Sequence, residues 1–282
     1  MAGLRLAVDV ACRQLGPFAA TGVAAGPFAA APANWDGGTP GYAGPGWVGG
    51  RLRRVESWRS GNGYLLRIEG AGEYLVRGDG SEIVSRRCLQ AGGPSEAVAA
   101  AVLGPCLVLA MALHGVWCLH ASAAGAADRV VALAGESGSG KSTLAAALAS
   151  LGGIWRRVGD DLLPVRLAGD GGRALPRFPQ PKLAPELQWL PPAPEEVELA
   201  ALYLLAPDAD EVEVRQLSRR RAAEVLVGQT VAARLFDAEL QARHLDFCAG
   251  LAGVLPVRTL RFPRRRAALP AMTTAIVAGF DG

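Results

Sequence analysis

Nine consecutive residues constrain this chain more than any others: Gly135, Glu136, Ser137, Gly138, Ser139, Gly140, Lys141, Ser142 and Thr143. They satisfy G-x-x-x-x-G-K-[ST], with Gly135, Gly140, Lys141 and Ser142 at the fixed positions. Glycines allow positive φ and let several backbone N–H groups converge on phosphate. A helix leaving the loop adds the positive end of its dipole. In such a loop the lysine reaches the β- and γ-phosphates and the serine hydroxyl ligates Mg²⁺. The flanks agree, because the apolar run Val130–Leu133 precedes the motif and an Ala/Leu-rich helix over Lys141–Leu151 follows it. The chain is therefore expected to bind a nucleoside triphosphate, ATP, with Mg²⁺.

The loop alone does not separate kinase, ATPase, GTPase and transporter ATPase. No Leu-Ser-Gly-Gly-Gln and no Asn-Lys-x-Asp stretch occurs, which argues against the last two. An acidic pair, Asp160-Asp161, ends a strand expected over Ile154–Val158. One carboxylate suits acceptance of a hydroxyl proton and the other suits Mg²⁺. Neighbours on a strand face opposite ways, so the two need not share a role. His120, in Cys-Leu-His-Ala-Ser before the loop, is either a satisfied core histidine or a support for that aspartate.

Composition narrows the partners. The net charge of +3 over 282 residues is too weak to argue for nucleic acid. Five cysteines with wide spacing suggest neither a zinc site nor a disulfide framework. Asp9 interrupts any leader-like apolar run, so a cytoplasmic chain is expected. No Asp, Glu, Lys or Arg lies between Glu96 and Asp128, a length that spans a bilayer. Gly104-Pro105 breaks that run, and it leads into the loop, so a buried helix from Ser95 to Leu113 and a core strand are expected there, with no membrane partner.

Two parts are expected: 1–93, β-rich after a Gly/Pro-rich start, and 94–282, carrying the loop. Gly37–Gly50 reads as linker. Short runs near 54–58, 64–68, 73–77 and 82–85, separated by Gly-containing turns, read as an antiparallel meander. Ala168–Pro194 reads as an ordered loop, Leu199–Leu205 and Val212–Leu217 as paired strands, Thr230–Leu251 as a long helix, Val257–Phe262 as a strand and Ala267–Val277 as a helix.

Leu-His-Ala-Ser, the loop, an Ala-rich helix and Val-Gly-Asp-Asp, in that order, resemble the catalytic domain of HPr kinase/phosphorylase. Tyr64–Ile68, Gly80–Val84 and Leu260–Arg264 further resemble HPr-kinase-like serine kinases encoded near ribosomal-peptide clusters, such as those of lasso peptides. The resemblance implies an α/β fold of the phosphoenolpyruvate-carboxykinase-like, P-loop type: a mixed sheet flanked by helices, with a small β-rich N-terminal part. It implies Asp160 as catalytic base, with His120 and Lys141 beside it. Two departures stand out. Thr143 replaces the family's glutamate after the loop serine, and Leu175–Leu183 replaces its metal-binding signature. They point away from HPr as acceptor. Asp161 becomes the candidate metal ligand with Ser142, and Glu186 a second; Arg177 and Lys182 are either clamps for phosphate or an acidic tail, or solvated loop cations. Arg261 or Arg264 is a further candidate at the nucleotide.

The expected activity is an ATP-dependent kinase acting on a hydroxyl, a serine of a peptide or small protein such as a ribosomal-peptide precursor. A small-molecule kinase and a nucleotide-binding regulator stay open. HPr kinases form hexamers, which leaves a homo-oligomer open too.

Overall fold

A computed structural model describes residues 38–85, 96–126, 128–152, 155–169, 171–176, 178 and 194–280. They fall into two compact units, one of residues 38–116 and 232–243, the other of 117–231 and 244–280. The segment 96–116, expected after the boundary at 93, groups with the N-terminal sheet.

The first unit carries a five-stranded antiparallel meander: β1 (Thr39–Val48), β2 (Arg51–Ser60), β3 (Gly63–Ile68), β4 (Gly72–Arg77) and β5 (Ile83–Ser85), paired in chain order. Four of these lie where alternation and turn residues place them. β1 does not, because Gly37–Gly50 reads as linker. Its position explains the exception. An outermost strand has one free edge, so Pro40 and Pro45 need not donate to a ladder. Gly41 permits close approach, since a Cβ there would meet Ser57 Oγ at 2.8 Å. Tyr42 N–H donates to that same hydroxyl at 2.8 Å, across a register shift between Pro40 and Ala43.

The run without charges forms α1 (Glu96–Ala101) and α2 (Leu107–Leu113), joined by a π-helical turn at Val102–Cys106. Pro105 lacks an N–H and disfavours helical geometry before it, and Gly104 leaves the helix at φ −94°, ψ −111°. Glu96–Leu113 is long and apolar enough to cross a membrane, at mean hydropathy 2.1, yet 61% of it is buried, as in a core helix.

The second unit is built on a mixed sheet. Its strands are β6 (Trp117–Leu119), β7 (Ala121–Ala126), β8 (Arg129–Ala134), β9 (Trp155–Gly159), β10 (Leu163–Ala168), β11 (Gly171–Ala174), β12 (Val197–Ala206), β13 (Glu213–Gln216) and β14 (Val257–Arg261). The main path runs β6-β10-β11-β12-β8-β7-β9, and β14 joins β12 to β13. β12 is parallel to β8 and to β14; the other pairs are antiparallel. Its helices are α3 (Lys141–Ala149), α4 (Arg219–Gln229), α6 (Leu269–Phe280) and, from His244 on, α5 (Ala238–Val254), whose first turns belong to the first unit. Alternate residues of the central strands (Val131, Leu133, Tyr203, Leu205 and Leu260) bury one face against Leu144 and Leu148 of α3 and Met272 and Ile276 of α6. Each such leucine contributes about 1.5–3 kcal/mol by leaving water.

Three local expectations are corrected. β11 lies inside the stretch that reads as loop, where it pairs with β10 and β12. β12 and β13 do not pair with each other; β14 lies between them. The helix expected from Thr230 begins only at Ala238, because Thr230 bridges Leu119 and the Asp237 carboxylate accepts from Leu240 N–H at 2.9 Å, starting the helix there.

Candidate functional site

The sheet order brings the sequence candidates to one end. β7 lies between β8 and β9 and is antiparallel to both. The C-terminal ends of β8 and β9 therefore meet the start of β7. β8 delivers the loop, β9 delivers Asp160 and Asp161, and the start of β7 delivers His120 and Ser122. Crevices at strand C-terminal ends are the usual ligand sites of open α/β sheets.

The loop joins β8 to α3 with Gly135, Gly138 and Gly140 at φ of 143°, 78° and 99°. Glu136, Ser137 and Gly138 are exposed at its tip, and Ser142 and Thr143 are exposed on the first turn of α3. Lys141 is buried, and its Nζ donates to the carbonyls of Gly135 at 2.8 Å and Glu136 at 3.0 Å. The ammonium is thus folded over the loop. Ser139 is 7% exposed, and its Oγ has no hydrogen-bond partner.

Asp160 is the hub. Its Oδ1 accepts from Ser142 Oγ and from Ser122 Oγ, both at 2.7 Å. Arg157 Nη2 lies 3.0 Å from Oδ2, with both side chains nearly buried. Asp161 turns away at φ 80°, a left-handed conformation that Asp tolerates better than most residues. Its carbonyl lies 3.2 Å and its carboxylate 3.4 Å from His120 Nδ1. Two oxygen acceptors at Nδ1 place the proton there, so in the neutral ring Nε2 carries the lone pair.

Among the described residues two buried side-chain polar atoms lack a partner, Ser139 Oγ and Arg157 Nε, and both lie here. Unsatisfied buried polar atoms are costly, and a bound water or a ligand oxygen is what would satisfy these two. The donor set fits the groups that the loop implies. Backbone N–H groups, a hydroxyl and an ammonium suit phosphate, while Ser142 Oγ and the Asp160 carboxylate are the hard oxygens that Mg²⁺ takes alongside phosphate and water. No group of three or more His, Cys, Asp or Glu that could hold a metal ion converges among the described residues, here or elsewhere, so the protein's share of any Mg²⁺ coordination rests on these two oxygen donors.

Of the remaining candidates, Arg264 reaches the loop, where its Nη2 donates to Gly138 O at 3.3 Å. Arg261 pairs instead with Asp208 at 3.1 Å. Arg177, Lys182 and Glu186 lie outside the described residues. The sequence reading passed over Ser122, Arg157 and Gln229. Ser122 carried a signal, since it is two residues from His120 on a strand approach and so shares its side. Gln229 carried none, being 94 residues from the Gly135 N–H that its Oε1 accepts.

No protein-family model and no curated protein matches this chain. Among solved structures, the Hpr(Ser) kinase/phosphatase from Coxiella burnetii is similar to it at 16% identity and a TM-score of 0.35, over 58% of this chain and 99% of that one.

Proposed function

We propose that the chain is an ATP-dependent kinase that transfers the γ-phosphoryl group to a hydroxyl, with a serine of a peptide or small protein as acceptor. The observation that carries this reading is the 2.7 Å contact between Ser142 Oγ and Asp160 Oδ1. It sets a carboxylate beside the loop serine, where phosphoryl transfer needs one. Mg²⁺, when held there, supplies charge neutralisation on the phosphate oxygens.

The two aspartates divide the work, in the reverse of the order that the resemblance implies. Asp160 has both oxygens engaged and serves the loop serine. Asp161 holds Nδ1 of His120 and so assigns to Nε2 the role of taking the hydroxyl proton. In the transfer the acceptor oxygen bonds to the γ-phosphorus and the bridging oxygen departs with ADP. The proton passes to Nε2, and Asp161 stabilises the resulting imidazolium. Lys141, held at the loop by two carbonyls, is placed to turn its charge to the phosphates. The resemblance to peptide-cluster kinases points to a precursor peptide as acceptor.

The test uses ATP labelled in its γ-phosphoryl group, Mg²⁺ and a panel of serine peptides. Wild type should yield phosphoserine. Asp161→Asn should bind nucleotide normally and lose transfer by roughly a hundredfold or more, the usual scale for general acid–base catalysis. Asp160→Asn should instead weaken Mg-ATP binding. Nucleotide binding without transfer to any peptide would favour a regulatory protein, and an Asp161→Asn variant as fast as wild type would remove the dyad.

A further inference from the structure

Gln229 ends α4, and the chain leaves the helix extended, with Thr230 at φ −75°, ψ 123°. Three successive residues then pair with the end of β6. Gln229 O accepts from His120 N–H at 2.7 Å, Thr230 bridges Leu119, and Val231 N–H donates to Cys118 O at 2.8 Å. The segment is also held from behind, because Thr230 Oγ1 donates to Leu226 O at 2.8 Å and lies 2.8 Å from Nε2 of the buried His244. From this fixed base the Gln229 side chain reaches the other way. Its Oε1 accepts from Gly135 N–H, the first amide of the loop, at 3.3 Å. Only the amide oxygen suits that donor, so the orientation of the carboxamide is settled.

Gly135 sits at φ 143°, where its N–H direction is fixed by a backbone that other residues rarely adopt. One residue therefore joins two parts of the site that are 15 positions apart in the chain: the loop through its side chain and His120 through its carbonyl. We infer that Gln229 is a positioning residue. It sets the register between the phosphate loop and the His120–Asp161 pair. The inference rests on the kinase reading for its purpose, although the clamp on the loop is a separate physical claim.

The test compares Gln229→Met, which keeps length and loses the acceptor, with Gln229→Glu, which keeps an acceptor. The first readout is amide hydrogen exchange in nucleotide-free protein. Gln229→Met should speed exchange in the peptide covering 135–140 and leave the peptide around His244 unchanged, and Gln229→Glu should restore the wild-type rate. The second readout is Mg-ATP affinity, which should fall roughly three- to tenfold in Gln229→Met, the scale of one hydrogen bond. Wild-type loop exchange in Gln229→Met would overturn the clamp. So would faster exchange spread over the whole unit, which would make Gln229 a general helix-end support. If wild type itself fails to bind Mg-ATP, the kinase reading falls while the exchange result still decides the clamp.

Discussion

Asp160 shows how a buried carboxylate is held when sheet topology supplies its partners. Two hydroxyls and one guanidinium reach it from three different elements, and only Arg157 is near it in sequence. A second buried polar group, His244, has a different consequence. It is fully buried, and burial pushes its imidazole below the ordinary value. Thr230 Oγ1 lies 2.8 Å and Cys248 Sγ 3.3 Å from its Nε2. A group whose folded value is depressed binds its proton more readily in the unfolded chain. Its stabilising contribution is present above the unfolded value of about 6.5 and is lost as pH falls below it toward the folded value. Urea midpoints should therefore drop between pH 7.5 and 5.5, and a His244→Gln variant should show a flatter dependence over that interval. An unchanged slope would mean that His244 does not control it.

At the scale of elements, the strand–loop–helix unit of β8 and α3 was legible because its signals were local: an apolar run, glycines and an Ala/Leu helix. The loop depends on backbone shape as much as on side chains. A Cβ at Gly135 would meet Ser139 Oγ at 3.0 Å and Leu205 O at 3.1 Å, at a φ that L residues rarely adopt. Gly135→Ala should cost about 1–3 kcal/mol of stability from this strain, measured by thermal or urea unfolding, and should weaken nucleotide binding. A neutral Gly135→Ala would mean that the loop has another shape in solution. Elements set by distant pairing were not legible. β1 passes as linker because an edge strand tolerates the prolines that a central strand forbids. The start of α5 was misplaced because Thr230 and Val231 take their partners from β6, over a hundred residues earlier.

At the scale of the whole molecule, the sequence named the candidate residues, and the sheet order brings them to one end. Asp160 and Asp161 are adjacent in the chain, yet one faces Ser142 and the other His120. Spacing could say only that neighbours need not share a role. The two carboxylates part because Asp161 takes a left-handed φ of 80°, while β7 lying between β8 and β9 puts Ser142 and His120 within their reach, which no local pattern announces. Ser139 Oγ and Arg157 Nε, buried and unpartnered, lie at that same end of the sheet. The central claim is that this end binds the triphosphate of Mg-ATP through the loop. Equilibrium titration of Mg-ATP into wild type and Lys141→Met tests it most directly. The account predicts saturable binding by wild type and loss of most of that affinity in Lys141→Met, with the fold intact by circular dichroism. Absence of binding by wild type, or equal binding by both proteins, would contradict it.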